Sequence, residues 1–375
     1  MKKWIRRIHL YLGLSAGLVI MVSCFTGAVL VFEEELQHAF NRDRYDVKIE
    51  EKRLPIETLI GNLKEIEPKA AVTRVQVFTD PARSVVISYN GGKKSQAFIN
   101  PYTGQVIELY KYQDTFFYTM FALHRWLLGG DVGKLIVGIC TLVFVFILIT
   151  GIILWWPKTR RILLQRLKIK SDAGGKRLTH DLHIVLGFYS AIFLFIFAFT
   201  GLAWSFEWFN KGIYKITNSP VKGPKPPQST FHQGNKMIDL ELALTESKQQ
   251  MPEVVFYNIN IPKDSTEAIT VTSLSHSAAH SSATDAIYLD QYTGKKIGQL
   301  YFDQRSRGAQ VRATFKPVHT GSIWGLPSKT IALVVCLLGT SFPITGTLIW
   351  INRTRKKKSV IQKEDKISEA IVHRA

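Results

Sequence analysis

The sequence contains few cysteines, and their positions exclude several kinds of site. Only three of its 375 residues are cysteine, and Cys24, Cys140 and Cys336 all lie inside long apolar runs. Their spacing fits neither a disulfide framework nor a cysteine zinc site, and no Cys-x-x-Cys-His motif is present to attach haem covalently. The chain also lacks a glycine-rich dinucleotide loop, so the sequence predicts no flavin or nicotinamide site. It contains no recognisable catalytic triad either.

Long apolar runs, in contrast, are present. Four of them reach the roughly 20 residues that are needed to cross a bilayer. They lie at 8–32, 132–156, 182–206 and 329–351. Each is predicted to be a helix, because a backbone in lipid must satisfy its own hydrogen bonds. A signal peptide is the alternative for the first run, but that run is long for one and it matches the third run internally.

Acidic residues are scarce in three segments where basic residues are dense. The N-terminus, residues 157–179 and the tail from 352 together hold 20 Lys and Arg residues but four Asp and Glu residues. With four membrane crossings these segments fall on one side, so the positive-inside rule predicts that both termini are cytoplasmic. We expect the basic segments to contact anionic membrane lipids, and no nucleic-acid partner is needed to explain a net charge of +19.

The two halves of the chain repeat each other. A histidine precedes a Thr-Gly pair by 17 residues in the first and third runs, and by 26 residues in the second and fourth. Between the runs, each half has an amphipathic helical segment followed by alternating strands, the last two joined by a Tyr-Thr-Gly turn. This pattern predicts two copies of a unit that consists of a helix, an outside α+β domain and a second helix.

The predicted fold class is therefore an α-helical membrane protein with four transmembrane helices, two extracytoplasmic α+β domains and an internal two-fold repeat. The segments are transmembrane helix 1 (1–32), outside domain 1 (33–120), transmembrane helix 2 (121–156), a basic cytoplasmic loop (157–179), transmembrane helix 3 (180–207), outside domain 2 (208–318), transmembrane helix 4 (319–351) and a basic cytoplasmic tail (352–375). A bacterial inner membrane, with both large loops in the periplasm, is the simplest location.

Four histidines hold matching depths in this arrangement. His9 and His183 open the first and third runs on the cytoplasmic side, whereas His124 and His319 precede the second and fourth runs on the outer side. Haem iron can be held by two imidazoles from different helices of one bundle. The register therefore predicts two b-type haems, one on His9 with His183 and one on His124 with His319. The alternative is that these are structural histidines at the membrane edge, copied by duplication.

Two further residues are candidates near these histidines. His180 lies three residues before His183 and is an alternative ligand, although its counterpart in the first repeat is Arg6. Two other roles are open to His180: it could be a solvated residue in the first turn of the helix, or it could form a hydrogen bond to a haem propionate. Arg125 could hold a propionate through a bidentate pair or be a solvated interfacial residue.

His276 and His280 have the i, i+4 spacing of a metal pair, but their Ser/Ala-rich surroundings favour a hairpin loop. The Thr-Gly pairs predict close helix packing.

The motifs HLYLG (9–13) and LHRWLLGG (123–130), the repeated Thr-Gly pairs and the Tyr-Thr-Gly turns give the chain a resemblance to a known family. From about residue 3 to 352 it resembles the PepSY-associated transmembrane helix family. Members of that family include iron-regulated inner-membrane proteins and di-haem ferric-siderophore reductases. The resemblance implies two periplasmic PepSY-like domains, with haem on His9, His124, His183 and His319.

The resemblance also implies a function, namely an oxidoreductase that passes electrons from a cytoplasmic or quinol donor to ferric siderophores outside. Some relatives carry a fused flavodoxin-like reductase; this sequence has no such domain, so the unidentified donor is expected to be a separate molecule. The alternative is a non-catalytic, membrane-anchored PepSY protein that binds or regulates a partner.

Overall fold

The computed structural model describes residues 2–91, 95–170, 172, 174–231, 234 and 236–372, with 356–372 described by their backbone alone. The predicted loop at 157–179 and the predicted tail at 352–375 therefore lie partly outside the described residues.

Thirteen α-helices and eight strands occur in the described part of the chain. The helices are α1 (Lys2–Leu30), α2 (Glu33–Phe40), α3 (Arg42–Tyr45), α4 (Ile56–Ile66), α5 (Phe116–Trp126), α6 (Gly130–Trp155), α7 (Arg160–Arg166), α8 (Gly174–Asp181), α9 (Gly187–Ser205), α10 (Glu207–Ile216), α11 (Leu240–Gln250), α12 (Arg307–His319) and α13 (Leu326–Val372). The strands are β1 (Val72–Phe78), β2 (Val85–Tyr89), β3 (Ser95–Ile99), β4 (Val106–Lys111), β5 (Val254–Asn260), β6 (Ile269–Ser275), β7 (Asp285–Leu289) and β8 (Lys296–Leu300).

These elements form two compact units. The helical unit contains the chain up to Val31, Met120–Phe206 and the chain from Pro327 onward; the sheet unit contains Phe32–Thr119 and Glu207–Leu326. Four helices of the helical unit are long and apolar enough to cross a membrane. They span Lys2–Leu30, Gly130–Trp155, Gly174–Ser205 and Leu326–Arg355. The four predicted membrane helices are therefore confirmed as helices of the required length and composition.

Small side chains let the membrane helices approach one another closely. Ala16, Ile20 and Cys24 of α1 form a buried cluster with Leu194 of α9 and Val335 of α13. A Cβ atom added to Gly17 of α1 would lie 3.3 Å from the Pro343 side chain of α13. Such packing stabilises helix pairs in lipid, where no hydrophobic force drives helices together.

The second predicted membrane segment, 121–156, is divided between two helices. Helix α5 ends at Trp126 and α6 begins at Gly130, because Leu127 and Leu128 adopt left-handed backbone angles with φ of 49° and 57°. A Cβ atom at Gly133 would lie 1.8 Å from the Trp126 carbonyl oxygen, so this tight break requires glycine there. The third predicted segment is continuous but contains a π-helical turn at Leu182–Leu186, between α8 and α9.

The two predicted outside segments contribute to a single antiparallel sheet. Its strand order is β4-β3-β2-β1-β5-β6-β7-β8, which is four strands from each segment. Strands β1 and β5 join the two sets, with Gln76 opposite Asn258. The prediction of two separate domains thus differs from the structure, in which the edge strand of each set pairs with that of the other set.

Helices α4 and α11 cover one face of this sheet with a common hydrophobic core. Each supplies a carboxylate to the other's N-terminus: Glu241 accepts from the Ile56 backbone N–H at 3.2 Å, and Glu57 accepts from that of Leu240. Carboxylates at a helix N-terminus satisfy unpaired N–H groups and favour the helix dipole. These reciprocal contacts join the two halves of the sheet unit.

The Tyr-Thr-Gly turns have the same construction in both halves. Gly104 and Gly294 have φ of 74° and 72°, as the positive-φ position of such a turn requires. The side chains of Asn100 and Asp290 accept hydrogen bonds from the backbone N–H groups of the following Tyr and Thr residues. The predicted turn chemistry is confirmed at both places.

Candidate functional site

His9, near the start of α1, packs against the C-terminal part of α6. Its Nδ1 lies 3.0 Å from Oγ1 of Thr150, and the ring also bonds to the Ile147 carbonyl one turn earlier. A Cβ atom on Gly151 would lie 3.3 Å from the imidazole Cε1. The Thr-Gly pair therefore supplies a hydrogen-bonding oxygen and the space in which the ring lies.

His183, in the π-helical turn before α9, makes the same contacts with α13. Its Nδ1 lies 2.8 Å from Oγ1 of Thr345, and a Cβ atom on Gly346 would lie 3.3 Å from its Cε1. The Phe342 ring packs edge to face on the imidazole at 5.7 Å between centroids, and the Phe342 carbonyl bonds to the histidine. Helix α13 thus fixes the orientation of this ring.

His124, near the end of α5, makes the corresponding contacts with α1. Its Nδ1 lies 2.9 Å from the Ser23 carbonyl oxygen and 3.3 Å from Oγ1 of Thr26. A Cβ atom on Gly27 would lie 3.2 Å from its Cε1. His9 of α1 thus contacts the Thr-Gly pair of α6, and His124 of α5 contacts the Thr-Gly pair of α1.

The acceptors around Nδ1 determine which ring nitrogen carries the proton. The threonine hydroxyls donate to carbonyls of their own helices: Thr26 to Val22 at 2.7 Å, Thr150 to Phe146 at 2.9 Å and Thr345 to Ser341 at 3.1 Å. A carbonyl oxygen can only accept, and a hydroxyl whose proton is already used accepts as well. Nδ1 is therefore the N–H donor in each neutral imidazole, so Nε2 carries the lone pair that can bind a metal.

His9 and His183 lie near each other although they belong to different helices and different halves of the chain. Their rings are close enough for a charge on one to act electrostatically on the other. Both have Nδ1 bonded to a threonine hydroxyl. His319 is the last residue of α12 and belongs to the sheet unit, so the pairing of His124 with His319 stays a prediction.

His180 has a different environment from His183. Its side chain is exposed, and its Nδ1 lies 3.4 Å from the Asp181 carboxylate. Asp181 is buried and also accepts from Arg177 Nε at 2.9 Å and from the Lys170 backbone N–H at 3.3 Å. His180 therefore belongs to a polar cluster that holds the preceding loop, and geometry favours His183 as the ligand.

Arg125 directs its guanidinium to the end of α9. Its Nη2 donates to the Trp204 carbonyl oxygen at 2.6 Å. An arginine remains charged at neutral pH. A half-buried positive charge next to His124 suits an anionic group such as a propionate, and this role stays a prediction.

His276 and His280 lie in the β6–β7 hairpin loop, as the hairpin prediction requires. His280 is buried, and its Nδ1 accepts a hydrogen bond from the Ser282 backbone N–H at 3.2 Å. Its ring packs edge to face on Phe302, and burial lowers its pKa. These contacts give His280 a structural role in the loop.

The donor set of the helical unit fits haem. Within the described ranges, no group of three or more His, Cys, Asp or Glu side chains is placed to hold a metal ion. A haem iron needs fewer protein ligands than a metal ion held by side chains alone, because the porphyrin provides four nitrogens and the protein only one or two axial groups. Neutral imidazoles whose Nδ1–H is hydrogen-bonded, and whose Nε2 therefore carries the lone pair, are suitable axial groups.

Sequence reasoning identified the histidines but missed the partners that orient them. The Thr-Gly pairs were assigned to helix packing, whereas three of them contact a histidine ring. The constant interval from histidine to Thr-Gly was the available signal. It was not sufficient, because each histidine contacts the pair on the neighbouring helix and not the one on its own helix.

Comparison with known proteins gives one result for nearly the whole chain. The family described as the PepSY-associated TM region matches residues 6–353. No curated protein matches the chain.

Proposed function

Since the chain belongs to the family of the PepSY-associated TM region, we propose that it is a membrane-bound di-haem electron-transfer protein that reduces ferric iron held by siderophores. The observation that carries this proposal is the set of histidines whose Nδ1 atoms are bonded to Thr-Gly pairs of neighbouring helices. Such bonding places the imidazole proton on Nδ1, so that Nε2 carries the lone pair that a metal would take.

Two histidine pairs would hold the haems. His9 and His183 would ligate one iron, which their proximity supports, and His124 and His319 would ligate the other. The haems would be b-type, because the sequence has no motif for covalent attachment. When bound, haem supplies one-electron chemistry. The chain's own residues would orient the ligands and exclude water, and Arg125 would neutralise a propionate.

The membrane topology follows from the charge distribution. We infer a bacterial inner membrane with both termini and the basic loop in the cytoplasm and the sheet unit in the periplasm. The two halves would be copies of one ancestral unit, each with a PepSY-like domain. Iron sites at two depths would then be accessible to a cytoplasmic or quinol donor on one side and to a ferric siderophore on the other.

Reduction of the bound ferric iron promotes its release from a siderophore. Siderophores hold iron through hard oxygen ligands, which suit Fe(III) better than Fe(II). One electron transferred to the bound iron weakens its binding to the chelator. The substrate class is therefore an oxygen-coordinated ferric chelate.

Mixing the reduced protein with such a chelate tests the proposal. The purified protein is reduced, excess reductant is removed, and a ferric hydroxamate chelate is added together with a ferrous-specific indicator. We expect the reduced haem α band to decay while one Fe(II) appears for each electron lost. The redox-inert gallium(III) chelate is the matched control and leaves the band unchanged. A band that persists in the presence of the ferric chelate would contradict the reductase assignment.

A further inference from the structure

The Thr-Gly pairs have a function beyond helix packing. We propose that Thr26, Thr150 and Thr345 are positioning residues, each of which holds one haem-ligating histidine through Nδ1 and raises the electron density at its Nε2. This inference rests on the proposed haem function and adds the residues that tune it.

The contact between threonine and histidine recurs with the same atoms. In each case a threonine Oγ1 lies 2.8–3.3 Å from Nδ1 of a histidine on another helix. In each case the following glycine faces Cε1 of the same ring, at 3.2–3.3 Å from the position of an added Cβ. Helix packing alone requires a small residue, but it does not require a hydroxyl directed at one ring nitrogen.

The directions of the hydrogen bonds make each threonine an acceptor. Each threonine hydroxyl gives its proton to a carbonyl four residues earlier in its own helix. Its oxygen is thereby left as an acceptor for the imidazole Nδ1–H. Donation from Nδ1–H makes an imidazole more basic, and therefore a stronger ligand through Nε2. A stronger donor stabilises ferric over ferrous iron, so the threonine would lower the midpoint potential of the haem.

The three threonines divide between the two proposed haems. Thr150 contacts His9 and Thr345 contacts His183, and these two histidines lie near each other. Thr26 contacts His124 at the other end of α1. Thr150 and Thr345 should therefore influence one haem, and Thr26 the other.

Substitution of Thr150 tests the inference in the full-length protein. Thr150→Val removes the hydroxyl acceptor, leaves the Ile147 carbonyl in place and keeps the branched shape, whereas Thr150→Ser restores the hydroxyl. Thr141→Val is the matched control, because Thr141 lies on the same helix and donates to the Val137 carbonyl at 2.7 Å. The readouts are haem retained per chain, haem affinity by titration of apoprotein, and the midpoint potential of each haem by optical redox titration.

We expect Thr150→Val to weaken the binding of one haem by about tenfold or more, the usual effect of removing an outer-shell partner of a metal-bound histidine. The potential of that haem should rise. Thr150→Ser and Thr141→Val should behave like the unmodified protein. Thr345→Val should affect the same haem as Thr150→Val, and Thr26→Val the other one.

The outcomes separate this inference from the proposed function. If the unmodified protein binds haem and Thr150→Val leaves affinity and potential unchanged, the threonine role is wrong and the haem assignment stands. If Thr141→Val has the same effect as Thr150→Val, the effect is one of helix packing and the inference is again wrong. A protein that binds no haem would overturn the proposed function itself.

Discussion

His183 occupies the π-helical turn Leu182–Leu186, whereas His180 lies on the regular helix α8 before it. In a regular helix, residues three apart share a face. A π turn widens the helix locally and frequently occurs at functional sites. Here it separates a histidine bonded to α13 from an exposed one bonded to Asp181. We therefore propose His183 as the ligand and a structural role for His180.

Alanine substitution of these two histidines should give opposite results. We expect His183→Ala to lose the low-spin signal of one haem, since it removes an axial imidazole. His180→Ala should retain both signals, because only the polar cluster around Asp181 is changed. Electron paramagnetic resonance of the oxidised protein measures this. If His180→Ala loses a low-spin signal while His183→Ala does not, the ligand assignment is reversed.

The sequence predicts a shared role for the histidines of matching register, but it could not predict how they are held. His9 and His183 stood out because they occupy the same register in two apolar runs. The threonine that bonds His9 is 141 positions away, and the one that bonds His183 is 162 positions away. A contact between helices depends on how they pack, and intervals along a single run contain no information about that packing.

Among the elements, the break between α5 and α6 determines where His124 lies. The sequence predicted one helix across 121–156, because leucines at 127 and 128 carry no signal for left-handed backbone angles. Only Gly129, Gly130 and Gly133 marked the place. The Trp126 carbonyl oxygen approaches Gly133 so closely that any side chain would displace the end of α5.

Gly133→Ala should therefore disturb the haem of His124 without a mutation at the histidine. A Cβ atom cannot fit 1.8 Å from a carbonyl oxygen, so α5 must move. Gly13→Ala in α1 is the control, since an added Cβ there meets no atom within 4 Å. We expect haem content to fall for Gly133→Ala and to remain unchanged for Gly13→Ala, as measured on protein purified in detergent. Equal haem content in both variants would show that this break does not position the site.

Strand prediction succeeded within each half and did not extend to the pairing between the halves. Alternating apolar residues indicated the strands, and the Tyr-Thr-Gly turns fixed the hairpins β3–β4 and β7–β8. The pairing of β1 with β5 was not predictable from alternation, because both strands alternate in the same way whether their outer edges are free or paired. The carboxylates of Glu57 and Glu241, which bridge α4 and α11, likewise resemble ordinary surface residues in the sequence.

For the molecule as a whole, the single sheet solves a problem that two separate domains would have. Each four-stranded half would expose β1 or β5 as an edge, and exposed edges invite pairing with other chains. Antiparallel pairing of β1 with β5 removes both edges at once. The two sets of strands are arranged symmetrically about the β1–β5 pair, with β4 and β8 as the outer strands.

The helical unit combines features from both halves in a similar way. Its four membrane helices come from both halves of the chain, and the histidines near each other, His9 and His183, come from one half each. A haem held by them would require the complete chain. The proposed electron-transfer function is thus a property of the whole molecule, and neither half alone would carry a complete ligand pair.

The amount of haem bound per chain tests this account most directly. Pyridine haemochrome analysis of protein purified from haem-replete cells should give about two b-type haems per chain, because each iron takes two axial histidines. His9→Ala and His319→Ala should each lower the value to about one, since each variant breaks one pair. A protein that contains no haem, or one that keeps its full haem content in both variants, would contradict the account.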